Sequence, residues 1–174
     1  MLARFTDQAR QCVIHAGTLA LEARRRTLDP DLLVLALAET RPFTLESFAS
    51  TPEALRRLVD TGRDHELLAA LGIDAAEIRH RARLHAPGQW RLERTRLLRV
   101  TLHGPLGSIQ LAAHSRKVIE VATWKPGPVT GERLLWGLLA DPANGAAHLL
   151  ATTGTNLESL VTEASIPTHH RAAS

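Results

Sequence analysis

Phe5, Ala9, Cys12, Val13, Ala16, Ala20 and Ala23 recur at helical spacing and form one apolar stripe of a helix that starts near Thr6. The stripe runs into Arg24-Arg25-Arg26, where positive charge complements the carboxyl end of the helix dipole. Asp29-Pro30-Asp31 then opens a second helix, with Asp29 as N-cap and Pro30 in the first helical position, where its missing N–H costs nothing. From Leu32 to Ala38 that helix is apolar nearly all round, the pattern of a buried central helix. After a loop over Arg41–Ser50, Thr51-Pro52-Glu53 restarts a helix by the same cap-and-proline chemistry, running to about Asp60. Helices are predicted over Asp64–Leu71, stopped at Gly72, and from Asp74 to about Leu84, with Glu77 completing a capping pattern.

The period changes in the middle of the chain. His85-Ala86-Pro87-Gly88 breaks the helical pattern, and Leu98, Val100 and Leu102 alternate with Arg99, Thr101 and His103, a strand signal. With the turn residues His103-Gly104-Pro105-Leu106-Gly107 this predicts a short hairpin between two helical halves. Helical spacing resumes near Leu111, supplied by Val118, Ile119, Val121 and Ala122, and is ended by Thr123–Pro128. Thr130 caps a strongly apolar helix containing Leu134, Leu135, Trp136, Leu138 and Leu139. Asp141-Pro142 opens another that stops at Gly154, Asn156 caps a last one to about Glu163, and a polar tail follows.

The halves repeat one another. Ala9–Ala16 aligns with Ser115–Ala122, Leu28–Leu37 with Val129–Leu138, and Leu67–Asp74 with Leu149–Asn156. The expected fold is therefore all-α, a tandem pseudo-twofold repeat of a four-helix motif. The first repeat spans 1–84 with an insertion at about 40–63, a linker or hairpin spans 85–107, the second repeat spans 108–164, and 165–174 is a flexible tail. Composition agrees: only 3% of the 174 residues are aromatic and there is no Tyr, so the core is built from Leu, Ala, Val and Ile.

In the order they occur, these blocks resemble the N-terminal repeat domain of Clp-type unfoldase ATPases. Phe5-Thr6-Asp7-Gln8-Ala9-Arg10 is similar to that family's F-T-x-x-A-(R/K) opening. Asp29–Leu37 and Thr130–Leu138 each resemble its G-T-E-H-(I/L)-L-L-G-L segment, and Gly145-Ala146-Ala147 with Leu149–Asn156 its G-V-A-A…L…L-G-x-(D/N) stretch. The resemblance covers roughly 1–40, 64–84 and 107–164. The chain departs from the family in the extra residues between Glu39 and Asp64, in Arg91–Leu102, in Thr123–Pro128, and in Asp29-Pro30 and Thr130-Gly131 where the family has G-T.

The resemblance implies a docking module for substrates and adaptors of a Clp protease system. It also implies a phosphoarginine-binding acid in each repeat, at Asp31 and Glu132 here. A carboxylate accepts a guanidinium through two hydrogen bonds, and helix N-termini receive phosphate. An acid in a first helical turn is, however, stabilised by the dipole and needs no ligand, and that is the favoured reading of the two. Trp124 beside Lys125-Pro126-Gly127 is a candidate contact surface, whereas Trp90 and Trp136 read as packing residues.

No G-x-x-x-x-G-K-(S/T) phosphate loop is present, so an N-domain without its motor is expected to recruit, compete for or sequester ligands. His65-Glu66 lacks a second His four residues on, His169-His170 reads as solvated tail, and no G-x-S-x-G occurs. The chain is therefore expected to be no enzyme and to need neither cofactor nor metal. Cys12 is a lone cysteine on an apolar face and is expected to be a buried hydrophobe. The polar N-terminus and the lack of an apolar run approaching ~18 residues point to a cytoplasmic protein with no membrane partner. The competing class is nucleic-acid binding, through Arg79, Arg81, Arg83, Arg91, Arg94, Arg96 and Arg99. A net charge of +3 and the near absence of interleaved aromatics weigh against it.

Overall fold

The computed structural model describes residues 2–59, 90–95 and 99–165. Helix α1 (Asp7–Glu22) begins where Thr6 Oγ1 accepts the amide of Ala9, and its apolar stripe is buried from Ala9 to Ala20. Helix α2 (Pro30–Thr40) is buried from Leu32 to Ala38, as its all-round apolar sequence requires. It ends in left-handed Arg41, whose guanidinium lies 5.0 Å from the Phe48 ring and donates to the Phe48 carbonyl at 2.8 Å. Helix α3 (Pro52–Leu58) is capped by Thr51, whose hydroxyl accepts the Ala54 amide. Helices α4 (Ala113–Trp124), α5 (Gly131–Leu139), α6 (Ala146–Thr152) and α7 (Leu157–Glu163) follow among the described residues. The predicted helices over 64–71 and 74–84 lie outside the described residues.

The chain is not all-α. Strands β1 (Thr27–Leu28), β2 (Arg91–Arg94), β3 (Val100–Gly104) and β4 (Gly107–Leu111) form one mixed sheet in the order β1-β4-β3-β2, so the class is α/β. Part of this was legible. The alternation at Val100 and Leu102 is strand β3, and the predicted turn at Pro105-Leu106 joins it to β4 in register, with Leu102 opposite Ile109. The sheet is nevertheless no appendage between helical repeats. Leu28, Leu92, Val100, Leu102, Ile109 and Leu111 all belong to the common core. Ser108–Leu111, assigned from sequence to a helical repeat, is strand, because Ile109 and Leu111 point inward while Ser108 and Gln110 are exposed. The helix predicted from Asp141 to Gly154 is also divided. A 3-10 turn over Pro142–Asn144 ends at left-handed Gly145, and α6 starts only afterwards.

Two parallel pairings stitch the ends of the chain together. Phe5, just before α1, pairs with Val129, just before α5, through Thr6 N–H to Val129 O at 2.9 Å and Val129 N–H to Arg4 O at 2.7 Å. Leu28, just before α2, pairs with Leu111, just before α4, and the Ala112 amide donates to Leu28 O at 3.0 Å. The segments leading into α1 and α2 are thus hydrogen-bonded to those leading into α5 and α4. Two glycines permit close approach on the C-terminal side. A Cβ on Gly137 would sit 2.4 Å from the Val118 carbonyl oxygen, where α5 crosses α4, and one on Gly131 would sit 2.5 Å from that of Pro42. The amino end of α5 therefore abuts the carboxyl end of α2.

Candidate functional site

Asp31 and Glu132 do not come together. Gly131 touches Pro42 past the C-terminus of α2, whereas Asp31 occupies the first turn of that helix, so the two acids stand about one helix length, roughly 15 Å, apart. Their chemistry differs as well. Asp31 is already gripped by a guanidinium of its own chain. Arg25 Nη1 donates to Oδ1 at 3.0 Å and Nη2 lies 2.8 Å from Oδ2, the bidentate geometry of an arginine–carboxylate pair. Oδ1 also accepts the Leu32 amide at 2.8 Å, and Arg25 reaches Asp29 at 3.6 Å. Asp29 itself makes no capping bond and accepts instead from Thr27. Arg25 lies six residues before Asp31, outside any helical spacing, so nothing in the sequence pattern marks it as partner.

Glu132 lies in the first turn of α5, half-buried, with no carboxylate contact among the described residues. It stands one helical turn before Trp136 on the same face. Trp136 meets the end of α4, where two of the sequence-predicted positions, Trp124 and Lys125, come together. Trp124 closes α4 and is 74% exposed, its ring centroid 6.4 Å from that of Trp136, which is only 7% exposed. Lys125 Nζ sits 5.2 Å from the Trp136 ring centroid, a cation–π distance.

The turn after Trp124 is held from two sides by arginines. Arg4 Nη1 donates to Thr123 O at 3.1 Å, and Nη2 to Lys125 O at 2.8 Å and Gly127 O at 3.2 Å. Arg133 donates to Lys125 O at 3.0 Å and to Pro126 O at 2.9 Å. These carbonyls include the last turn of α4, which no helical amide can satisfy. An exposed indole on an anchored turn keeps little conformational entropy to lose when it is covered. The sequence singled out Trp124 and Lys125 but not Arg4 or Arg133; only Arg133 carried a local signal, through its neighbour Glu132.

A second cluster runs from the buried Cys12 and His15 out to the surface at Arg56. Cys12 and His15 on α1 face Glu39 and Thr40 on α2. His15, 2% exposed, bonds through Nε2 to Glu39 Oε2, and Arg56 of α3 donates through Nε to Glu39 Oε1 at 2.8 Å. Burial alone would raise the Glu39 carboxyl, but its bond to His15 and the charges of His15 and Arg56 together hold it below the ordinary glutamate range. Burial pushes the Cys12 thiol up to about 12, against a lowering bond from Thr40 and with a raising contribution from Glu39. A thiol this protonated and enclosed is no nucleophile, so the cluster ties three helices together.

Elsewhere, Ser50 Oγ bonds to Thr155 Oγ1 at 2.7 Å. The Glu163 carboxylate accepts the amides of Glu46 and Ser47, both at 2.8 Å, so the 41–50 loop is fixed to α7. No group of three or more metal-ligating side chains occurs among the described residues, and no helix among them is long and apolar enough to cross a membrane. Of the arginines read as a basic stripe, Arg91, Arg94 and Arg99 are exposed on or beside the sheet. Arg94 is paired with Glu120 at 3.5 Å, and Arg79, Arg81, Arg83 and Arg96 lie outside the described residues. Compared with known proteins, the chain matches no family model and no curated protein.

Proposed function

We propose that this chain is a non-catalytic module that binds a protein or peptide segment, with the Trp124–Lys125 corner as its contact surface. One observation carries the reading. The largest exposed apolar side chain among the described residues, Trp124, is backed by a second indole and mounted on a turn fixed by two arginines. Exposed, preorganised tryptophans beside cations are the residue types that dominate binding energy at protein interfaces.

The resemblance of the sequence blocks to Clp N-terminal domains supports placing this activity in or around Clp-type proteolysis, with substrates, adaptors or the ATPase as partners. The phosphoarginine ligand implied by that resemblance belongs at Glu132 in this proposal, because the Asp31 carboxylate is occupied by Arg25. The reading is tested on an array of unrelated peptides probed with the wild-type chain and with Trp124→Ala. Peptides captured by wild type and lost with the variant are expected. Capture indifferent to Trp124, or no capture, overturns it.

A further inference from the structure

We infer that the segment recognised at this corner carries a large apolar side chain flanked by aspartate or glutamate residues. The inference rests on the peptide-binding reading and adds the chemistry of the partner. The apolar part follows from the two neighbouring, mutually tilted indoles, of which Trp124 is largely exposed.

The acidic part follows from how the charges around it are used. Arg4 and Arg133 bond to carbonyl oxygens, and Lys125 lies over an aromatic ring. Dipoles and quadrupoles orient a cation without neutralising it, so three full positive charges surround the turn. The two helices that build the corner carry a carboxylate each, one turn from its indoles in sequence. Glu120, one turn before Trp124 on α4, already faces Arg94 at 3.5 Å and Arg116 at 3.8 Å. Glu132 brings one negative charge to the first turn of α5, whereas Arg4, Lys125 and Arg133 make no ion pair among the described residues, so the turn itself carries a positive excess.

A carboxylate arriving there meets guanidinium N–H groups already held in place and forms charge-assisted hydrogen bonds without first ordering the side chains. A nucleic acid would also be drawn to positive charge beside an aromatic ring. Single-strand binders, however, continue the cationic track past the stacking platform. Here Glu120 and Glu132 interrupt it on the two helices that build the corner.

Fluorescence anisotropy of labelled peptides tests the inference. One peptide carries a central Leu flanked by Glu; its analogues replace Glu by Gln, Glu by Lys, or Leu by Gly, and a labelled oligothymidylate serves as the nucleic-acid probe. Circular dichroism confirms that each protein variant is folded. The acidic, Leu-bearing peptide is expected to bind best. Its affinity should fall about tenfold or more in Trp124→Ala, should fall in Lys125→Glu, and should weaken between about 50 mM and about 500 mM salt.

Equal binding by the Gln or Lys analogue, lost with Trp124→Ala, would overturn the acidic preference while leaving the peptide-binding reading in place. No binding by any peptide would overturn both. Tighter binding of oligothymidylate, displacing the peptide, would overturn the inference in favour of nucleic acid.

Discussion

Gly137→Ala is the substitution that most directly probes how the Trp124 corner is built, since α4 carries Trp124, α5 carries Trp136, and the two helices cross at Gly137. Replacing a helical glycine by alanine ordinarily stabilises by up to about 1 kcal/mol. Here the new Cβ would stand 2.4 Å from the Val118 carbonyl oxygen and 3.0 Å from its carbon, where ordinary contact begins at 3.4 Å. The first two obstacles are main chain, which no rotamer change relieves, so the helices must part by about 1 Å at a core crossing. Overpacking of this kind costs about 3 kcal/mol, the upper end of the usual range. The net expectation is a loss of about 2 kcal/mol, which for a chain of this length lowers Tm by about 4–8 °C.

Gly17→Ala is the internal control. Its Cβ would meet the Leu102 Cδ2 methyl at 2.3 Å, a side-chain atom that can turn away, so a smaller loss is expected. Urea denaturation followed by circular dichroism gives both free energies, and tryptophan emission reports whether the indole pair separates. A Gly137→Ala protein as stable as wild type, or one more stable than Gly17→Ala, would refute the reasoning that main-chain contact sets this crossing.

Other outcomes follow from the buried and paired groups. Glu39→Gln removes the charge that His15 and Arg56 surround and is expected to cost about 3 kcal/mol. Because the folded Glu39 carboxyl lies below its ordinary value of 4.5, the stabilisation it brings is complete above that pH and is lost as pH falls through the lowered value; urea titrations of both proteins from neutral pH downward should therefore converge in acid. Cys12 should resist Ellman's reagent at pH 8 in the folded protein and react fully in denaturant, whereas rapid stoichiometric labelling without denaturant would contradict the enclosed, protonated thiol. For free phosphoarginine followed by calorimetry, Glu132→Ala should abolish binding; Asp31→Ala should leave affinity unchanged and instead lower stability by about 1–2 kcal/mol through loss of the Arg25 pair.

Local chemistry was legible where a signal is written within a few residues. Thr51 and Asn156 cap α3 and α7 as expected and α1 starts beside Thr6, because a cap is a contact between near neighbours. Asp29 and Thr130, expected to cap α2 and α5, make no side-chain capping bond. The apolar run of α2 and the alternation in β3 placed both elements in the core for the same reason. Strand β1 could not be read this way. Thr27 and Leu28 are strand only because Gln110 and Leu111 lie beside them, and two residues carry no period of their own. The same limit explains the misread start of the second half, where Leu111 continues the apolar count of α4 although it is the last residue of β4. Charge was harder still. Asp31 and Glu132 occupy equivalent places in aligned segments, yet one is neutralised by Arg25 across a turn and the other has no ion-pair partner among the described residues. That difference is set by tertiary neighbours, and so are the carbonyls that orient Arg4.

The pairing of Phe5 with Val129 has a consequence for biosynthesis. A nascent chain emerging from the ribosome can wind α1 early, but the backbone ahead of it has no hydrogen-bonding partner until the segment around Val129 has cleared the exit tunnel. The same holds for Leu28, which waits for Leu111. The first two helices can pack on each other early, but the faces they turn toward α4, α5 and the sheet stay uncovered for most of translation, and that docking comes late and over a long sequence separation, as in slow-folding topologies. A translation arrest placed before Val129 should leave the nascent chain protease-sensitive throughout, and one placed well beyond Glu163 should not.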